Sequence, residues 1–371
     1  MDCGRTARCA GKAQRSGGRA VPPGEGFSTL AGRIVEKTSR RGPCWRFFMS
    51  KKKILVVAIV FLLLGVSLVR LSGDSVWSPK QDETIQISFI ARGKKTESWS
   101  TIEQGIEQAA NDLNVEITPI YLSSENDASE QISLLNREVQ NGADAVLIAP
   151  ANSEDLRAPI EEAQKHVPVV AIESTVAGME TLPYIGCDNV SLGQALGEEI
   201  LASGGKGTKV AILQNSLSCS SVKERYQGVL EVLQQYGMEL GFWEIPDDPT
   251  QAYETAKTLL QRQDVNKAVA LDGATLEAVA RAEKELSPPG VTTVDIYGVG
   301  RTNQVVSYLE EKVITSIGVQ NEFNIGYLGV KAAVDQIQGN EAESATINFA
   351  IVNSADMYSP ENQRLLFPFV R

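Results

Sequence analysis

From Thr84 onward, short runs of uniformly apolar residues alternate with longer stretches that are apolar on one side only. Ala145–Ile148 and Val169–Ile172 are of the first kind, and with the mostly apolar Ile85–Ala91 and Val115–Tyr121 they predict strands. Between them, Ile102, Ile106, Ala109, Ala110 and Leu113 recur at helical spacing within Trp99–Leu113. Ile132, Leu134, Leu135 and Val139 mark a second helix, and a third runs to His166. Strands that are apolar on both faces and separated by helices predict a parallel sheet covered on both sides.

A second series follows Tyr184-Ile185-Gly186. Helices are expected over Asn189–Ser203, Val222–Tyr236, Ala252–Leu260 and Ala274–Glu285. Strands are expected over Lys209–Leu213, Met238–Ile245, Ala268–Leu271, Val294–Val299 and Thr315–Val319. Each series is long enough for a core of its own. The fold class is therefore α/β, with two doubly wound parallel-sheet lobes.

The N-terminal region has a different character. Residues 1–48 are rich in Arg, Gly and Ser and carry no periodicity, as expected of a non-structural extension, and Met49 stands where translation would begin. Lys51-Lys52-Lys53 then precede sixteen uncharged residues, Ile54 to Val69, so 49–83 reads as a signal or membrane anchor with a linker. At ~1.5 Å per residue that run spans ~24 Å, a little under a ~30 Å hydrocarbon core. Leu71-Ser72-Gly73-Asp74 has Asp where a lipoprotein box needs its lipidated Cys. Basic residues ahead of the apolar run put the N-terminus inside and the bulk of the chain outside.

Charge sharpens the division. The chain has 35 Lys+Arg against 46 Asp+Glu, and residues 1–53 hold 13 of the bases but only 3 of the acids. The remainder is strongly acidic, a poor surface for nucleic acid, whose phosphates need cationic partners. Cys187 and Cys219 are the only cysteines beyond the N-terminal region, too few for a disulfide framework, and are expected as buried thiols. With one histidine, His166, and no clustered His or Cys, neither a metal nor a cofactor is expected.

In open α/β sheets the binding crevice lies beyond the carboxyl ends of the strands. The residues following each expected strand include Trp99, Glu173, Arg225, Asp272, Arg301 and Gln320. Carboxylates, an amide and a guanidinium suit neighbouring hydroxyls, and an indole covers the C–H face of a sugar ring. Duller roles fit the same residues: Trp99 in a core, Glu173 or Asp272 as a helix cap, Arg225 in a surface ion pair. Motifs for catalysis are missing: neither G-x-S-x-G nor H-E-x-x-H occurs. Gly204-Gly205-Lys206-Gly207-Thr208 lacks phosphate-loop spacing and precedes a strand, and Gly298-Val299-Gly300 lacks the third glycine of a dinucleotide fingerprint. No helix-turn-helix pattern marks a repressor headpiece. No catalytic residue is expected, and an enzyme on the same two-lobed fold is the rival class.

Several segments resemble the periplasmic sugar-binding protein family of the ribose-binding type, over roughly Ile85 to Asn353. V-P-V-V-A-I-E (167–173) is similar to a family strand whose terminal acid grips sugar hydroxyls, with Glu173 in place of Asp. C-D-N-V-S-L-G-Q-A-L-G (187–197) is similar to the segment at the first crossover between lobes. K-E-R-Y-Q-G (223–228) resembles the R-x-x-G motif, which makes Arg225 a ligand contact, and A-L-D-G-A-T-L (270–276) implies another at Asp272. The family's helix-entry aromatic falls on Trp99 and its crossover amide on Gln320.

The sequence departs from the family at Ile148-Ala149-Pro150, where Asn is usual in the second position. At Gly298-Val299-Gly300-Arg301 an acid is lost and an arginine gained, which points away from an unmodified pentose or hexose towards an acidic or phosphorylated sugar or a signalling molecule. The resemblance implies a multi-strand hinge, with 84–187 and 321–350 in an N-terminal lobe and 188–320 and 351–360 in a C-terminal lobe. It implies capture of a small-molecule ligand by hinge closure, read by a transporter permease or a sensor kinase in the membrane.

Overall fold

The computed structural model describes residues 50–73, 84–204, 208–288, 290 and 292–367. Residues 1–48, Met49 and most of the Gly204–Gly207 loop fall outside these. The chain divides between Pro79 and Lys80 into two units. In the first, helix α1 spans Lys51–Gly73, and nine large apolar side chains between Leu55 and Leu64 are exposed. No helix among the described residues is long and apolar enough to cross a membrane, so the expected anchor finds no support here.

In the second unit the apolar runs become strands, as expected. The order is β1 (Gln86–Ile90), α2 (Glu97–Leu113), β2 (Glu116–Ile120), α3 (Ala128–Gln140), β3 (Ala145–Ile148), α4 (Arg157–Ala163), β4 (Val169–Ile172) and β5 (Tyr184–Cys187). Then follow α5 (Asn189–Ala202), β6 (Lys209–Gln214), α6 (Ser220–Gln235), β7 (Glu239–Glu244), α7 (Pro249–Leu260), β8 (Lys267–Ala270), α8 (Gly273–Leu286), β9 (Asp295–Val299), α9 (Asn303–Glu310) and β10 (Ser316–Gln320). The chain ends with α10 (Glu322–Ile337), β11 (Ala345–Ile347), β12 (Phe349–Asn353) and α11 (Pro360–Leu366). The helix expected to reach His166 stops at Ala163, ahead of Pro168, whose ring disfavours helical backbone before it.

Two six-stranded sheets result, ordered β11-β5-β4-β3-β1-β2 and β12-β10-β9-β8-β6-β7. The chain passes from the first sheet to the second after β5, returns after β10, and crosses again between β11 and β12. Phe349 pairs with Gln320 in the second sheet, so 349 and 350 lie there and not in the first lobe. The second lobe also runs on to α11, beyond residue 360. β12 lies antiparallel to β10, the one departure from parallel pairing among the strand pairs described.

Apolar side chains fill both faces of each sheet. Phe89, Leu147 and Ile172 belong to the core on one face of the first sheet, and Ile90, Val146 and Ala171 to that on the other. The second sheet is sandwiched likewise. In each lobe one helix pair is held very close by facing glycines. A Cβ on Gly193 would lie 2.2 Å from the Arg225 carbonyl oxygen, and one on Gly228 2.1 Å from that of Val190. These contacts seat α6, which carries Arg225, against α5.

Candidate functional site

Side chains following seven strands meet in one cavity of about 430 Å³ between the two lobes. From the first lobe come Arg92 after β1, Glu125 and Asn126 after β2, and Glu173 after β4. From the second come Asn215 after β6, Asp247 after β7, Asp272 after β8 and Arg301 after β9. Gln320, the last residue of β10, stands at the crossing. All six residues singled out in the sequence line this cavity. Buried Gln131 braces the strand ends behind it: its amide donates to the Ala91 and Ala149 carbonyls, and its oxygen accepts from Ala151 N–H, tying the ends of β1 and β3 together.

Glu173 is the centre of the polar network. Its Oε2 accepts from Arg92 Nε at 3.1 Å and from the Ser174 hydroxyl at 2.5 Å. Its Oε1 accepts from the Ser221 hydroxyl at 2.8 Å and faces Arg225 Nη2 at 3.5 Å, both in the other lobe. Burial works against ionisation here, but the adjacent Arg92 and Arg225 guanidiniums and the Ser174 hydroxyl outweigh it and hold the carboxyl at about 2. The backbone of Glu173 sits at φ 63°, a strained position for a residue with a Cβ and one that clusters at functional sites.

Arg225, also buried, donates from Nε to Asn189 Oδ1 at 2.8 Å and from Nη1 to the Leu271 carbonyl at 3.0 Å. Its Nη2 has no hydrogen-bond partner. Gln320 is 7% exposed, and among the described residues its side-chain amide has no partner. Asp272 is both cap and cavity wall: Oδ1 accepts from Thr275 N–H at 3.0 Å and Oδ2 from the Thr275 hydroxyl at 2.7 Å. Trp99, buried in the first turn of α2, packs on Phe89 and carries the Arg92 guanidinium 5.9 Å from its ring centroid.

Arg301 lines the cavity, but its fork is spent on protein. Nη1 donates to the Leu366 carbonyl at 2.9 Å, Nη2 to the Thr101 hydroxyl, and Nε faces Glu322 at 3.5 Å. Cys187 and Cys219 are free and buried, as expected, and no cluster among the described residues could hold a metal ion.

The profile of the periplasmic binding protein domain matches residues 87–341, more than two-thirds of the chain. The chain belongs to the periplasmic binding protein family. A ribose import binding protein of Bacillus subtilis is 26% identical over 245 residues, covering 66% of this chain and 78% of the relative. A carbohydrate transporter solute-binding protein of Agrobacterium radiobacter, solved with D-arabinose, has a TM-score of 0.72 at 22% identity and covers 77% of this chain and 100% of its own. The Caulobacter myo-inositol binding protein, solved with myo-inositol, has a TM-score of 0.69 at 20% identity, covering 78% and 99%.

For a periplasmic binding protein, the cavity has contributors that the sequence pattern passed over. Arg92, Asn126 and Asp247 stand at strand ends like the others, but no motif marks them. Arg92 Nη1 donates to Asn126 Oδ1 at 2.8 Å, so the two act together. Burial raises the carboxyls of Glu125 and Asp247, and the negative neighbours Asp247 and Asp272, respectively, push in the same direction.

Proposed function

We propose that the unit from Lys80 onward is an extracytoplasmic solute-binding protein that captures an uncharged sugar or polyol between its lobes by hinge bending, and delivers it to an ABC transporter. The observation that carries this is the pairing state of the cavity's charges. Arg92 and Arg225 already answer Glu173, and Arg301 answers Glu322, Thr101 and Leu366. None of these three guanidiniums is left whole for a carboxylate or phosphate, which favours a two-pronged fork, and the fourth arginine of the lining, Arg281, is exposed and lies over the Tyr253 ring. An acidic or phosphorylated ligand is accordingly the weaker choice, whatever the gain of Arg301 suggested.

What remains for a ligand is a hydroxyl-sized set. Nη2 of Arg225 and the amide of Gln320 are available donors, and each Asp272 oxygen keeps an unused lone pair. The indole of Trp99 supplies an apolar face. The volume is within the range of small-molecule sites. Sugars bound by the relatives support the same class.

The basic and apolar run from Lys51 to Val69 would direct the chain out of the cytoplasm, as an export signal or tether, and fractionation of cells expressing the full chain tests this. Ligand class is tested by thermal shift and calorimetry on residues 80–371 with D-ribose, D-xylose, D-arabinose, myo-inositol, xylitol, D-glucuronate and D-ribose 5-phosphate. Binding confined to the uncharged compounds is expected. Binding of only the two anions overturns the proposal, as does binding of none. Residues 80–371 retain two tryptophans, Trp99 and Trp243, so a Trp243→Phe background isolates the Trp99 signal.

A further inference from the structure

Several polar contacts join the two lobes directly. On one flank, Glu173 accepts from Ser221 and faces Arg225, while Ser174 Oγ lies 2.9 Å from Cys219 Sγ, and the Ser220 hydroxyl accepts from Thr175 N–H at 2.6 Å. Nearby, Ser153 N–H donates to the Ser218 carbonyl at 2.9 Å. On the other flank, Arg301 of the second lobe donates to Thr101 on α2, and Glu97 of α2 accepts from Asn303 N–H at 2.9 Å.

We propose that Glu173 and Arg301 form a two-point clasp that supplies part of the closure free energy from the protein itself, so that the ligand-free protein already populates the closed form. The side chains fit that task. The Glu173 carboxylate makes four hydrogen-bonding and ionic contacts, two to each lobe. An aspartate there, one methylene shorter, would reach less far towards Ser221 and Arg225. Arg301 holds the α11 end with one arm and the opposite lobe with the other. Both residues thus act as positioning residues, and direct ligand contact passes to Arg225 Nη2, Gln320 and Asp272.

Closure driven only by ligand would require contacts to both lobes from the ligand alone. A clasp lowers that requirement, because a ligand meeting a pre-closed cavity is not charged for the rotation. A seam hydrogen bond to a charged group shifts the open–closed balance by roughly tenfold or more.

The test uses residues 80–371, which contain both sheets and all four apolar cores. The protein is unfolded and refolded in sugar-free buffer to strip any carried ligand. Two readouts follow: small-angle scattering, and the rate at which N-ethylmaleimide modifies Cys219, which is buried at the seam. Thr101→Val with Ser221→Ala removes one partner from each clasp and leaves Glu173 and Arg301 in place; Thr101→Val alone serves if the pair destabilises the fold.

The wild type is expected to scatter as the closed form, and the variant to be larger, with Cys219 modified roughly tenfold faster. A ligand-free wild type that scatters as an open form overturns the clasp. So do equal Cys219 rates in wild type and variant. Neither readout involves a sugar, so failure here leaves the ligand proposal standing, and failure of the sugar panel leaves the clasp standing.

Discussion

Asp272 serves two masters, and substitution separates them. Its carboxylate caps α8 through Thr275 and faces the cavity with the lone pairs that the cap leaves free. Asp272→Ala removes both roles. Losing an N-cap costs about 1 kcal/mol, or roughly 2–4 °C in melting temperature for a unit of this size. Losing a hydrogen bond to a charged group costs ~1.5–3 kcal/mol, roughly a 10- to 150-fold loss of affinity. Asp272→Ser keeps an oxygen that can accept from the N-terminal backbone of α8 but withdraws the charge and the reach into the cavity. The expected pattern is a lowered melting temperature for Ala alone and weakened binding for both, measured by calorimetry with the sugar that gives the largest shift in the panel. Unchanged affinity in Asp272→Ser would refute the assignment of Asp272 to the ligand and leave it a cap.

Arg225→Ala should cost stability as well as affinity, by about 3–5 kcal/mol in denaturant unfolding, because it leaves Glu173 buried beside a single arginine; equal stability would mean that Glu173 is solvated. Low pH should weaken the fold through Glu173. Its folded carboxyl, held at about 2 against an ordinary 4.5, contributes stability that is present above that ordinary value and lost as pH falls towards 2. Urea midpoints between pH 5 and 3 should fall less steeply in Glu173→Gln than in wild type, and parallel slopes would contradict this. Gly228→Ala would push α5 and α6 apart at Val190 and should destabilise by ~1–3 kcal/mol, with loss of ligand affinity because Arg225 rides on α6; a neutral result would show that the helices have room to spare.

Much of the fold was legible because burial on both faces leaves uninterrupted apolar runs. AVLI, VVAI and SIGV stand out against any helix pattern, and each became a central strand with every residue buried. The elements missed are the ones that this signal does not reach. β11 has only three residues, with Thr346 in the middle, and β12, although Phe349–Val352 is an apolar run, lies past the end of the alternating series as a part-buried edge strand. β5 opens with half-buried Tyr184 and contains Gly186, which hid it inside a turn-like segment. α10 carries Gly326 and Gly329 where helix formers would be expected, and those glycines are there because α2 and the sheet leave no space for a Cβ. The antiparallel return of β12 has no local signal, since direction of pairing is decided by where the chain crosses and not by composition.

The site was legible to a different degree. Strand ends surround the cavity because backbone topology alone brings them to one side of each sheet. What each side chain does there depends on its neighbours in the other lobe, and no spacing along the chain records that. Glu173 was expected to hold sugar hydroxyls, yet its carboxylate is occupied by Arg92, Ser174, Ser221 and Arg225. Arg301 suggested an anionic ligand, yet its donors close on Thr101 and Leu366. Both exchanges move charge from the ligand's share of the cavity to the protein's. Glu173 after β4 and Arg301 after β9 share no partner, and each makes contacts between the lobes. The proposed clasp makes a definite demand on mutants. Restoring the shorter acid with Glu173→Asp should weaken the seam, and it should free a carboxylate for ligand only if Arg301 is replaced as well. A double-mutant cycle on affinity should therefore be non-additive by roughly 0.5–3 kcal/mol, and simple additivity would separate the two positions.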